Sequence, residues 1–141
     1  MIELKRFQQK LVDKLLKFTA PEYAVDEMVI KSPTGSGKTI TLLDWVNTYI
    51  ESTYDNVAFV WFTPGSGELE EQSQDKAKNF SSIKAQSLSD ALNQGFEQGT
   101  ATFINYESVV GKNKKAMMTD TERDNLKDKI EKAFEANRHF I

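Results

Sequence analysis

The stretch Ser32-Pro33-Thr34-Gly35-Ser36-Gly37-Lys38-Thr39 carries more potential chemistry than any other part of the chain. A phosphate chain is held by several donors that converge on one small volume, and these residues can supply them. Gly35 and Gly37 allow backbone conformations that a side chain forbids, and they let the backbone approach an anion closely. Their amides, together with those that open a following helix, form a cradle for negative charge. The Lys38 ammonium can reach terminal phosphates, and the Thr39 hydroxyl can ligate Mg2+. The strict P-loop pattern opens with glycine, where this chain has Ser32. The competing reading is a Gly/Ser-rich turn without function. Context weighs against it, because a strand-like run precedes the loop and a helix-like run follows it.

The elements that must position this loop are readable from apolar spacing. Leu4, Phe7, Leu11, Leu15 and Phe18 recur at helical steps and predict an amphipathic helix bounded by Pro21. Met28-Val29-Ile30 predicts a strand leading into the loop. Ile40, Leu43, Trp45, Val46, Tyr49 and Ile50 predict a helix that is apolar around much of its circumference. Val57-Ala58-Phe59-Val60-Trp61-Phe62 is a nearly continuous apolar run, expected of a strand buried on both faces. Pro64-Gly65-Ser66-Gly67 breaks it, and a polar helix is expected from near Glu68.

Further on, Ile83–Leu88 reads as a short strand, Ala91–Phe96 as a short helix ended by Gly95 or Gly99, and Thr100–Tyr106 as a strand. Gly111–Met118 reads as a lysine-bearing loop. Thr119 and Glu122 form a capping box that opens a last helix with Leu126, Ile130 and Phe134 on one face. His139-Phe140-Ile141 reads as the start of another strand, so the chain is expected to be part of a longer protein. The alternation predicts an α/β fold with a mostly parallel sheet flanked by helices.

Composition narrows the chemistry. The 141 residues suit one domain, and 39% hydrophobic with 28% charged residues reads as globular. Cysteine is absent and His139 is the single histidine, which removes thiolate and histidine-rich metal sites and cysteine nucleophiles. A net charge of −3 supplies no global field for nucleic acid, so any such contact must come from local geometry. No segment approaches the roughly 20 apolar residues of a membrane span, and the first residues do not read as a signal peptide, so a cytoplasmic protein is expected. Lys112, Lys114 and Lys115 read first as a solvated loop, Trp45 and Trp61 as core, His139 as structural, and Glu68, Glu70 and Glu71 as acids favoured by a helix start.

Ser-Pro-Thr-Gly-Ser-Gly-Lys-Thr resembles motif I of superfamily 2 helicases and translocases, whose loop often starts with Ala or Ser. Leu4-Lys5-Arg6-Phe7-Gln8 is similar to the element ahead of motif I in that family, whose glutamine reads adenine. A carboxamide suits that task, since its donor and acceptor match those of the adenine edge; Gln9 adjoins it as the alternative reader. Thr63-Pro64, with Leu69 and Gln72, is similar to motif Ia, and Thr102-Phe103-Ile104-Asn105-Tyr106 resembles the strand and turn before motif II. Within the superfamily the chain looks most like the motor subunit of type III restriction enzymes.

The resemblance implies a RecA-like ATP-binding domain over 1–141, truncated before the motif II strand, with an adenine-reader helix at 4–18, the P-loop at 32–39 and the motif Ia region at 63–72. ATP and Mg2+ are the implied cofactors, with Lys38 and Thr39 as the implied catalytic residues. Phe7, Gln8, Ser32, Pro33, Thr34, Gly35, Ser36, Gly37, Lys38 and Thr39 would bind nucleotide, and the Thr39 hydroxyl would also hold the metal. Thr63, Pro64, Gly65 and Gln72 would touch nucleic acid. Double-stranded DNA and a DNA methyltransferase or specificity subunit are the implied partners of the complete protein. Motif II and the second motor domain with its arginine finger are missing, so this chain alone is expected to be inactive. A P-loop kinase of small molecules and a truncated remnant without turnover are the other readings; a kinase lid needs arginines, and Arg6, Arg123 and Arg138 do not fall in a lid-like segment.

Overall fold

The computed structural model describes residues 3–20, 27–33, 35–53, 55–64, 68–110 and 119–141. The amphipathic stretch near the start forms α1, Arg6–Phe18, whose buried stripe is Gln8, Val12 and Leu15. It ends where the Thr19 hydroxyl donates to the Leu15 carbonyl at 2.7 Å. Helix α2, Lys38–Ser52, buries Thr41, Leu43, Val46 and Tyr49, the last three packing on the sheet.

Strand β1 spans Val57–Thr63 and is followed by α3, Glu68–Ala77. Strand β2, Lys84–Ser87, leads into α4, Leu88–Gln94, which Ser87 and Asp90 cap reciprocally and Gly95 terminates. Strand β3, Thr100–Asn105, runs into a single helical turn, α5, Tyr106–Val110. Helix α6, Asp120–Glu135, opens on the expected capping box, with the Thr119 hydroxyl accepting from the Glu122 amide at 3.2 Å. It returns the chain to β4, His139–Phe140.

The strands form one parallel sheet in the order β2-β3-β1-β4. β1 and β3 are its centre, in register from Phe59 opposite Ala101 to Thr63 opposite Asn105. Helices cover both faces. On one, Leu43, Val46 and Tyr49 of α2 and Ala77 of α3 pack on Val57, Phe59 and Phe103. Trp45 and Trp61 join this cluster as expected, Trp45 meeting Phe59 edge-on at 5.5 Å. On the other, Ala91 of α4 and Ala133 of α6 pack with Ala58, Phe96 and Phe140. The fold is the expected α/β type, and no described helix is long and apolar enough to cross a membrane.

Three expectations need correction or limits. Met28-Val29-Ile30 is not a strand; Val29 is 83% exposed. A strand exists only through its ladder, and the sheet's outer strands, the polar β2 and the two-residue β4, offer this short run little to pair with. β1 is not buried throughout, because Phe62 at its carboxyl end is 52% exposed and meets Tyr106 edge-on. The lysine loop with Lys112, Lys114 and Lys115 lies outside the described residues, as do Thr34 and Gly65.

At the amino ends of β1 and β4, Asp55 gathers two ring donors. The Tyr49 hydroxyl and His139 Nδ1 each donate to its Oδ2 at 2.7 Å. Partial burial pushes the Asp55 carboxyl up, but the bonds from His139 and Tyr49 outweigh it and hold the group below its ordinary range. Burial and the Asp55 carboxylate push the Tyr49 hydroxyl up. A depressed carboxyl stabilises the fold above its unfolded pKa and loses that contribution as pH falls through the folded value. We therefore predict that the advantage of the native protein over Asp55→Asn in urea unfolding is full near neutrality and shrinks below about pH 4. An advantage that stays constant down to pH 2 would contradict this.

Candidate nucleotide-binding site

The turn that leads into α2 is a local product of its sequence. Gly35 and Gly37 both take left-handed backbone, with φ of 79° and 77°. Between them the Ser36 amide donates to the Pro33 carbonyl at 3.2 Å, and the Ser36 and Ser32 hydroxyls meet at 3.1 Å. Gly37 is the residue before the first turn of α2, so the amides of Lys38, Thr39 and Ile40 have no helical acceptor. Thr41 secures this end, its amide and hydroxyl both donating to the Gly37 carbonyl, at 3.0 and 2.8 Å. The result is a run of unspent donors at the positive end of a 15-residue helix dipole.

Lys38 is exposed, and its ammonium donates to the Ser32 carbonyl at 3.0 Å across the mouth of the loop. A lysine whose one partner among the described residues is a backbone carbonyl is free to turn toward a stronger anion. Thr39 is half-buried in the first turn of α2. Among the described residues no three His, Asp or Glu side chains converge as a metal site. A Mg2+ ion would fit here with the Thr39 hydroxyl and the oxygens of a bound polyphosphate, as this cation's preference for phosphates and retained waters allows.

Two further elements meet the cradle. Helix α1 lays Gln8, 7% exposed, against the backbone of Ser36 and Gly37. Phe7, beside it, is 53% exposed. Because α2 packs Trp45 and Tyr49 on Phe59 and then turns directly into β1, it runs antiparallel to the strands. The cradle at its start therefore lies toward the carboxyl ends of the sheet, where open α/β folds collect ligands.

At that end the motif Ia residues divide. Pro64 and Gln72 are exposed, whereas Thr63 is 5% exposed with a buried hydroxyl that has no partner among the described residues. Spacing alone did not reveal the role of Glu70. It accepts from the backbone amide of Asn105, tying α3 to the end of β3, while burial pushes its carboxyl above the ordinary range.

The family model for the type III restriction enzyme res subunit matches residues 1–138. The chain belongs to this family. With membership come the helicase-type motor domain of superfamily 2, ATP binding as its general property and DNA as its general kind of partner. Comparison with curated proteins and with solved structures gives no significant match. The matched residues include the loop and the start of α2.

Proposed function

We propose that this chain is the ATP-binding portion of a DNA-translocating restriction motor. The carrying observation is the loop itself: two left-handed glycines lead into the first-turn amides of α2, which have no helical acceptor, with an exposed lysine beside them. In this reading Ser32, Pro33, Thr34 and Gly35–Thr39 wrap the polyphosphate, Lys38 meets the β- and γ-phosphates, and Thr39 holds Mg2+. Phe7 offers a ring face to the base. Pro64, Gly65 and Gln72 would contact the DNA backbone. They carry no charge, and Glu68, Glu70 and Glu71, which open the next helix, put negative charge beside them, so the contact would rest on uncharged donors. Double-stranded DNA is the track of the complete motor, and a methyltransferase or specificity subunit is the partner that a restriction motor implies. Such a motor works in the cytoplasm.

Hydrolysis needs an acidic metal site and an arginine finger, worth roughly 10³–10⁵-fold in related enzymes. We therefore expect this chain alone to bind ATP without turning it over. The kinase reading is weaker, because Arg138 is consumed in the fold, donating to the Phe96 carbonyl and to Asn56 Oδ1.

Titration calorimetry with ATP and Mg2+ tests the proposal. The native chain is expected to bind, and Lys38→Ala to bind at least about tenfold more weakly, the loss of a charge-assisted contact of roughly 1.5–3 kcal/mol. Equal affinity of the two proteins would remove the cradle from the site.

A further inference from the structure

Helix α1 buries Gln8, Val12 and Leu15, and its opposite face is a stripe of cations. Arg6, Lys10 and Lys14 follow one another at four-residue steps, and Lys17 stands three further on; all four are exposed. At 3.6 residues per turn they share one side of the helix, over about 16 Å. Asp13 is the one acid in α1, and its carboxylate accepts from the Gln9 carboxamide at 3.1 Å. The helix thus carries +3 in a chain of net −3, which leaves −6 for the rest.

This arrangement works against its own helix. Like charges at i and i+4 repel, as Arg6 does with Lys10 and Lys10 with Lys14. The first turn holds Arg6 and no acid, although the helix dipole favours negative charge there. Among the described residues Arg6, Lys10 and Lys14 form no ion pair. Helix α6 of the same chain follows both rules. It opens on Asp120 and Glu122, and its Lys127 and Lys132 pair with Glu131 and Asp128 at 4.0 and 3.1 Å. A solvent face kept almost wholly cationic, at a cost to its helix, is arranged for an anion outside the fold.

The stripe is long and convex, so its anion must be extended. A lipid surface would also need the apolar face of α1, which the fold already buries, with Val12 at 0% and Leu15 at 3% exposure. Gln8 seats the first turn against Ser36, so the stripe starts beside the loop, toward the end of the sheet where Pro64 and Gln72 are exposed. Deepening the proposed function, on which it rests, we propose that Arg6, Lys10, Lys14 and Lys17 form a second DNA surface, which holds duplex phosphates without reading sequence. Along about 16 Å of duplex one strand presents about five charges to it.

Fluorescence anisotropy on a short labelled duplex, across a series of NaCl concentrations, compares the full chain with two triple variants. Arg6→Gln with Lys10→Gln and Lys14→Gln neutralises the stripe. Lys127→Gln with Lys129→Gln and Lys132→Gln removes the same charge from α6. Relief of the like-charge pairs should leave the stripe variant with a thermal midpoint no lower than the native one. Each phosphate contact contributes about 0.9 to the slope of log affinity against log salt, so the stripe variant should lose about 2.7 of that slope. Its affinity should fall roughly a hundredfold at about 0.1 M salt, while the α6 variant keeps the native slope. A native slope in the stripe variant would overturn the inference, as would an equal loss in both variants, which reports net charge alone. A native chain with no affinity for the duplex would overturn it too. Failure to bind ATP, with the slope difference intact, would remove the nucleotide site and leave the stripe standing.

Discussion

Replacing Phe103 with alanine is expected to lower the unfolding free energy by about 3–5 kcal/mol, the range for a fully buried phenylalanine. The ring is 0% exposed at the centre of β3, with Trp61 of β1 at 5.6 Å and the α2 side of the core above it. Loss of its apolar surface is only part of the cost. β1 and β3 are hydrogen-bonded along five register pairs, from Phe59–Ala101 to Thr63–Asn105, so the backbone cannot collapse into the space. A cavity should remain, and surrounding atoms lose their contacts outright. A domain of this size has about 5–15 kcal/mol in total, so the variant would be marginal or unfolded at 37 °C. Urea unfolding measures it: the midpoint should fall sharply while the slope holds. A loss below about 1.5 kcal/mol would mean that the sheet relaxes around the gap.

The parts of this fold that could be read from sequence are those whose cause is local. The continuous run Val57–Phe62 made β1 legible as a strand, although its carboxyl end at Phe62 is exposed and not covered on both faces. The reciprocal pair Thr119 and Glu122 marked the start of α6 within a residue. Gly95 and Gly99 were both open as the end of α4; the structure ends it at Gly95 and starts it at Leu88, three residues before the expected Ala91. Met28-Val29-Ile30 misled because its composition is strand-like, whereas pairing is a property of what lies alongside. Helix α5 went unread for the opposite reason. Its residues, Tyr-Glu-Ser-Val-Val, favour strand, and the turn is held by Asn105, whose side chain accepts from the Glu107 amide at 2.9 Å and whose carbonyl accepts from the Ser108 hydroxyl at 2.6 Å.

The site divides along the same line. The glycines, lysine and threonine of the cradle are contiguous, and their spacing states their geometry. Gln8 was legible as a candidate, but the destination of its carboxamide was not, because it bridges residues 28 apart. The Tyr49–Asp55–His139 cluster joins the end of α2 to the last strand, and Glu70 reaches Asn105 from another element. Such contacts depend on the sheet order, which no local pattern encodes.

That bridge gives the second large effect its cause. Gly37→Ala is expected to weaken ATP binding by about a hundredfold, whereas Gly35→Ala should cost only about tenfold. Both glycines are left-handed, with φ of 77° and 79°, so a side chain at either carries the same backbone penalty of roughly 1–2 kcal/mol. They differ in what the new methyl group meets. At Gly35 no described residue beyond its chain neighbours lies within 4 Å, while at Gly37 the Cβ would sit 2.3 Å from Gln8 Nε2. Gln8 must then leave its buried seat, losing hydrogen bonds worth about 0.5–1.5 kcal/mol each. With two such bonds lost, the sum for Gly37→Ala is about 2–5 kcal/mol, and each 1.4 kcal/mol is a factor of ten in affinity. A double-mutant cycle isolates the contact: in a Gln8→Ala background the extra penalty at Gly37 should vanish, leaving the two glycine substitutions equal. Equal penalties already in the native background would show that the carboxamide yields freely to the methyl group.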